Sequence, residues 1–182
     1  MMSTAFSDVA EKSVVMRQNK SFMLEKFGLN LPSLNAIIDE ELQRNIARLN
    51  GDNNKKELAK LNGDFAKDAW ERKYNSTARN LVRMWWLTKF LTKLLDNLIN
   101  STDMTLVNAC KDAYQVGFSE HHPWLVRKGA GLAMGYAGEK RKLLNTWGVQ
   151  SAEEARPALD SFKTLRDHLD ALLTQKALKD LP

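Results

Sequence analysis

Apolar residues recur three or four positions apart along nearly the whole chain, and no stretch shows the sustained alternation, bounded by turn residues, that a half-buried strand requires. The pattern predicts an all-α protein. A first helix is expected from about Ser7 to Phe27, stopped by Gly28 and a linker reaching Pro32. A second stripe opens at Ser33 and carries Leu34, Ile37, Ile38, Leu42, Ile46 and Leu49, with a turn at Gly51 to Asn54. Between Lys55 and Asn75 the pattern is weak and polar, with Gly63 in its middle, and reads as a short exposed helical segment and a loop. A long helix, capped by Ser76 or Thr77, follows with Ala78, Leu81, Val82, Trp85, Leu91, Leu94, Leu95 and Leu98 on one stripe and ends near Asn100.

The next helix is expected to open between Ser101 and Asp103 and to align Leu106, Val107, Cys110, Ala113, Tyr114, Gly117 and Phe118 before running out at His121 and His122. Pro123 suits a first helical turn, where its missing N–H is not needed, and starts a helix through Ala130, Leu132, Ala133 and Met134 to Tyr136, ended by Gly138. After a short basic segment, Ser151 with Glu154 forms a capping box for a last helix bearing Leu159, Phe162, Leu165, Leu169, Leu172 and Leu173, which Pro157 kinks or restarts. With no internal repeat or low-complexity tract, the whole chain, residues 1–182, is expected to be one helical domain.

Composition narrows the function. The chain is long enough to bury a core without disulfides or metal, and its most apolar stretch, Met84 to Ile99, is broken by Lys89, Lys93 and Asp96, so it does not read as a membrane span. The start lacks a signal-peptide pattern, and Cys110 is the one cysteine; both fit a protein kept in the cytosol. A net charge of +5 favours acidic partners: nucleic acid, an anionic membrane surface or a phosphate-bearing small molecule. Catalysis finds little support. Cys110 sits about three helical turns from His121 and His122, too far for proton transfer, and the three histidines lack metal-ligand spacing. No enzyme activity, cofactor or metal is expected.

One constellation stands out. The segment from Cys110 to Ala137 reads CKDAYQVGFSEHHPWLVRKGAGLAMGYA and holds His122, Pro123 and Trp124 followed by Leu125, Val126 and Arg127. Asp8 and Lys12 stand four apart, as do Arg79 and Arg83, so each pair shares one helical face. This set resembles the signature of the glycolipid transfer protein family, and most closely its ceramide-1-phosphate branch, which the closing LKDLP also resembles.

The resemblance implies a two-layer sandwich of helices whose apolar interior takes the two chains of a sphingolipid, with the head group at a surface cleft. Burying hydrocarbon at about 0.8 kcal/mol per methylene requires an aliphatic and aromatic lining, for which Leu87, Phe118, Val126, Ala130 and Met134 are the candidates. Asp8 would accept from the ceramide amide N–H and a sphingosine hydroxyl, and His122 would donate to the amide carbonyl. Lys12, Arg79 and Arg83 would hold the phosphate, since Arg bonds to phosphate are charge-assisted and can be bidentate. The glycolipid branch stacks a sugar on a Trp at or beside the position of Arg79, where this chain has Arg79 and Asn80, which favours a phosphorylated ceramide. Trp124, with Arg127 and Lys128 one turn on, would meet the bilayer interface as a transient membrane contact.

The family carries one or two helices before its aspartate, whereas Asp8 stands almost at the start here, so an N-terminally shortened form of the fold is expected, with lowered stability or a dimer or partner covering the exposed face. Simpler explanations stand beside these roles. Isolated Asp/Lys or Arg/Arg pairs are usually solvated faces, Asp8 and Lys12 can bond each other across one turn, His122 can be a helix-end cap, and Trp85 with Trp86 reads as core. Other functional readings are transfer of a neutral glycosphingolipid, lipid sensing, or a basic helical adaptor for nucleic acid, whose cations would form one continuous stripe.

Overall fold

The computed structural model describes residues 2–44, 74–101 and 103–181, and residues 2–9 by their backbone alone. Most of the segment expected between Lys55 and Asn75, together with Ile46, Leu49 and the turn at Gly51 to Asn54, lies outside the described residues. Every regular element described is helical: α1 Met2–Phe27, α2 Leu34–Gln43, α3 Thr77–Asn100, α4 Leu106–Gly117, α5 Trp124–Met134, α6 Lys140–Thr146 and α7 Arg156–Gln175.

The helices fall into two compact units, Met1–Met84 with Leu173–Pro182, and Trp85–Leu172. In the first, α1 begins earlier than its stripe of apolar residues indicates and stops at Gly28, whose φ of +70° is the left-handed value that favours glycine after a helix. Ser33 caps α2 by accepting from the Ala36 N–H at 3.2 Å, as its sequence position indicates. Phe22 and Met23 of α1 pack on Tyr74, while Asn19, one turn earlier, donates to Asn75 O at 2.7 Å and Thr77 Oγ1 at 2.8 Å. Through these contacts α1 packs on residues 74–77, which lead into α3. The C-terminal segment belongs to this unit: Leu173, Leu178 and Leu181 are buried, and Lys176 pairs with Asp39 of α2.

The start of α3 is fixed by a residue absent from the sequence-based expectation. Glu41 of α2 is fully buried and accepts four hydrogen bonds, from Tyr74 Oη, Ser76 Oγ and Thr77 N at 2.7 Å each and from Ala78 N at 3.0 Å. A carboxylate on the first free N–H groups of a helix satisfies donors that have no intrahelical partner and meets the positive end of the dipole. Ser76 also caps the helix from its own side, accepting from Arg79 N at 3.3 Å. Burial, with the Glu41 charge beside it, pushes the Tyr74 phenol far above its ordinary value, so it stays a donor.

In the second unit, Trp85, Trp86, Leu87, Leu91 and Leu94 of α3 are buried, and Leu95 packs with Ala155 and Leu159. Helices α3 and α4 meet backbone to backbone at Gly117, where an added Cβ would lie 2.7 Å from Phe90 Cβ and 2.9 Å from its Cα. Asn97 and Lys93 of α3 reach Asp112 of α4 at 2.9 and 3.2 Å.

Several boundaries differ from expectation. Helix α4 opens at Leu106 with Thr105 as its cap, not at Ser101 to Asp103, because the Thr105 hydroxyl takes the Asn108 N–H. It stops at Gly117, four residues before His121. Helix α5 starts at Trp124 and ends at Met134, two residues before Tyr136. The basic segment after Gly138 is a helix in its own right, α6, which buries Leu144. Ser151 and Glu154 do bond, side chain to side chain at 3.3 Å, yet neither caps a helix: the 3-10 turn Glu153–Ala155 has Ala152 at its N-cap without a side-chain bond, and α7 begins at Arg156, beside Pro157. Leu165, expected on the core stripe of α7, is exposed.

Candidate functional site

The residues singled out in the sequence divide between the two units. Lys12, Arg79 and Arg83 belong to the first, as does Asp8, whose backbone lies in α1 and whose side chain is outside the described residues. Arg79 sits two residues inside α3 and is buried, with Arg83 half-buried one turn further along. The solvated-face explanation therefore fails for Arg79. Burying a guanidinium is costly unless it is paired and hydrogen-bonded, and its position is correspondingly defined. Lys12 is half-buried on α1, two turns before Asn19.

His122 and Trp124 belong to the second unit and flank the turn between α4 and α5. His122 is half-buried. Its ring lies against Phe118, with centroids 5.5 Å apart and planes 11° apart, and its Nδ1 stands 2.7 Å from the Tyr114 hydroxyl. Burial pushes the imidazole below its ordinary value, which keeps it neutral at physiological pH. Tyr114, Phe118 and His122 are four residues apart in sequence. That spacing was the available signal for Tyr114, which the sequence placed only on a core face.

His121 turns the other way. It stacks on Trp86 with centroids 4.0 Å apart and planes 8° apart, and its Nε2 lies 3.0 Å from Glu120, which also meets Lys89 at 3.3 Å. Both Trp85 and Trp86 are buried, as expected for core. Trp86 has one face covered by His121, and Lys89 holds its Nζ 4.5 Å over the Trp85 ring. Cys110 is a free buried thiol, and burial raises its pKa, so it is a poor nucleophile.

Half of the large apolar side chains that are exposed among the described residues lie on α5 or just beyond it. Trp124 is 60% exposed, Leu125 and Leu132 each 73%, and Tyr136 just beyond the helix 90%; of α5 itself only Met134 is buried. Trp124 was expected there, whereas Leu125, Leu132 and Tyr136 were not. Lys128 holds its Nζ 4.2 Å over the Trp124 ring, and Arg127 donates to Ser119 O at 3.3 Å. Of the residues proposed to line a chain pocket, Leu87 and Met134 are buried, Phe118 and Ala130 half-buried, and Val126 exposed at 47%. A separate cleft of about 390 Å³ is lined by Trp85, Lys89, Thr92, Lys93, Asp96, Val116 and four charged residues of α7. Several of its cations are already paired, Lys89 with Glu120, Lys93 with Asp112 and Arg166 with Asp167.

Comparison with known proteins fixes the family. Residues 1–149 match the family model for "Glycolipid transfer protein (GLTP)". A ceramide-1-phosphate transfer protein from Danio rerio is 37% identical over 59 residues, 32% of this chain and 28% of that protein. The Bos taurus ceramide-1-phosphate transfer protein is 24% identical over 113 residues, 59% of this chain and 53% of the other, and glycolipid transfer protein 1 of Arabidopsis thaliana is 32% identical over 63, covering 33% and 31%. The chain thus spans between 28% and 53% of the length of these curated relatives. Among solved structures, human ceramide-1-phosphate transfer protein in complex with 12:0 ceramide-1-phosphate superposes with a TM-score of 0.71 at 21% identity, covering 100% of this chain and 80% of that one. The mouse protein in its apo form gives 0.66 at 19% identity, covering 97% and 77%. The chain belongs to the glycolipid transfer protein family and has the all-α fold of the ceramide-1-phosphate transfer protein structures. No described helix is long and apolar enough to cross a membrane.

Proposed function

We propose that this protein, acting as a single domain, carries a sphingolipid between membranes without chemistry, and that its cargo is ceramide-1-phosphate or a close relative. The observation that carries the head-group assignment is the buried Arg79, one turn from Arg83 on α3, in a chain of this family. A guanidinium held within the protein is preorganised for bidentate bonds to phosphate and gives up little freedom on binding. In this reading Lys12, Arg79 and Arg83 receive the phosphate. Asp8 accepts from the amide N–H, and a neutral His122 donates to the amide carbonyl. Leu87, Phe118, Val126, Ala130 and Met134 take part in lining the space for the chains.

Delivery requires contact with a bilayer. The exposed Trp124 and Leu125, with Arg127 and Lys128 beside them, have the composition of an interfacial surface: aromatic and aliphatic side chains enter the acyl boundary while cations meet lipid phosphates. The contact is transient and is made from the cytosolic side. Two of the named relatives carry ceramide-1-phosphate in their names and one carries glycolipid, so both cargo classes belong in the test. Burial of Trp85 and Trp86 weighs against a sugar platform on α3.

The test is a vesicle-to-vesicle transfer assay with ceramide-1-phosphate and galactosylceramide side by side. Faster movement of the phosphorylated lipid, and its loss in Arg79→Ala and Arg83→Ala, is the expected result. Faster movement of galactosylceramide, or full ceramide-1-phosphate transfer by Arg83→Ala, would overturn the assignment. A gel shift with nucleic acid is expected to show no complex.

A further inference from the structure

The hydroxyl of Tyr114 stands 2.7 Å from His122 Nδ1, and the two side chains come from opposite ends of the turn that closes α4. A neutral imidazole holds one proton on one of its two nitrogens, and the partner of the first nitrogen decides what the second can do. If Nδ1 carried the proton, it would donate to the phenol oxygen and leave Nε2 a bare acceptor. If Tyr114 donates, Nδ1 is the acceptor and Nε2 carries the N–H.

The chemistry favours the second arrangement. A phenol is a better donor than acceptor, its oxygen lone pair being delocalised into the ring, whereas an unprotonated imidazole nitrogen is a strong acceptor. Burial holds the Tyr114 phenol above its ordinary value, with Arg127, whose guanidinium folds back to Ser119 O, opposing that rise only in part, so the hydroxyl keeps its proton to donate. Among the described residues, His122 is the one hydrogen-bonding partner of that hydroxyl, so a Tyr114 that accepted from Nδ1 would have its own proton directed at none of them. The charged and titratable neighbours of the pair are few: Arg127 acts on Tyr114, and His121, itself kept neutral by burial, lies next to His122. Phe118, parallel to the imidazole at 5.5 Å, fixes the ring plane, and the Tyr114 bond fixes its rotation within that plane.

We infer that Tyr114 is a positioning residue that locks His122 in the tautomer with the proton on Nε2, so that the ring presents a donor to the carbonyl of an amide-bearing lipid. The inference rests on the reading of His122 as the amide donor. A family of carriers that grips ceramide through its amide needs a donor at that point, and a histidine free to exchange tautomers would present a bare lone pair, which repels a carbonyl oxygen, for part of the time. Tyr114 thus acts through His122 and need not touch the lipid.

Nuclear magnetic resonance of the full chain, with its histidine rings labelled with nitrogen-15, reads the tautomer directly and without lipid. At neutral pH the wild type is expected to show His122 with Nε2 protonated and Nδ1 bare, and Tyr114→Phe to show a mixture of the two forms. Ceramide-1-phosphate pick-up from phosphatidylcholine vesicles is expected to weaken about five-fold in Tyr114→Phe, the typical worth of one lost hydrogen bond. In a His122→Ala background the same tyrosine substitution should then change nothing further. An Nδ1-protonated wild-type spectrum, or a Tyr114→Phe spectrum identical to it, overturns the inference whatever the lipid assay gives. Full pick-up by His122→Ala overturns the amide-donor reading instead and leaves the tautomer result standing, so the two failures are distinguishable.

Discussion

The start of α3 and the surface of α5 solve opposite problems. At Glu41 a charge lies wholly inside the protein, and every one of its bonds is made: two hydroxyls and two backbone N–H groups converge on one carboxylate. On α5 and just beyond it, five large apolar side chains, Trp124, Leu125, Val126, Leu132 and Tyr136, lie in water, where the hydrophobic effect would hide them. The first arrangement is explained by the folded chain alone. The second is not, since exposing contiguous apolar surface stabilises nothing within the protein and marks a surface made for a partner. Polar groups are buried where they hold α3, the helix bearing Arg79 and Arg83, and apolar groups are displayed on the face proposed to meet a bilayer.

This contrast can be broken most forcefully at Glu41. Glu41→Ala would orphan four donors at once and is expected to cost about 4 kcal/mol of unfolding free energy, with Glu41→Gln costing roughly half, because the amide oxygen still accepts. Denaturant melts with both variants test this; a Glu41→Ala protein as stable as the wild type would mean the carboxylate is a passenger. Next comes Gly117, where the backbones of α3 and α4 touch. Gly117→Ala must part the two helices and is expected to cost about 1–3 kcal/mol, again read by denaturant melting.

On the other side of the comparison the sign of the experiment reverses. Trp124→Ala should leave unfolding within about 0.5 kcal/mol of the wild type, as a surface change does. Its affinity for vesicles containing anionic lipid, measured by sedimentation, should fall about ten-fold, and Leu125→Ala by a smaller factor. Loss of stability without loss of vesicle binding would make α5 part of the core. The smallest effect concerns pH. His121 and His122 both have folded pKa values depressed mainly by burial, so the unfolded chain binds their protons first. Their contribution is complete above about pH 6.5 and is lost as the pH falls through the folded values, lowering the melting temperature by a few degrees toward about pH 5.5. Calorimetry across that range, with His121→Gln and His122→Gln as controls, checks it.

Local rules made much of the fold legible. Ser33, Gly28 and the stripe from Ala78 to Leu98 announce α2, the end of α1 and α3, because capping and 3.6-residue periodicity act over a few positions. Glu41 was less visible, although it shares its helical face with Ile37 and Ile38, since a charge in core phase means something only once Tyr74, Ser76 and Thr77 are known to surround it, more than thirty residues away. Helix α6 was hidden by its three leading cations, which read only as a short basic segment, and the cap of α4 fell at Thr105, beyond the expected Ser101 to Asp103, a choice that only backbone geometry decides. For the candidate site, residue types and helical phase were readable. What spacing could not convey is that Arg79 would be buried; for Tyr114 the four-residue steps to Phe118 and His122 were a signal, but the bond to His122 across the end of α4 was not.

Cys110 offers a practical opening. The one thiol in the chain lies under the surface and keeps its proton, so ordinary maleimide reagents at neutral pH will react with it slowly. A cysteine introduced by Leu132→Cys, on the open flank of α5, would then be the fast-reacting handle on an otherwise unaltered molecule. A polarity-sensitive dye attached there would brighten on meeting acyl chains and stay dim in buffer, turning the approach to a vesicle into an optical signal that can be timed separately from the passage of cargo.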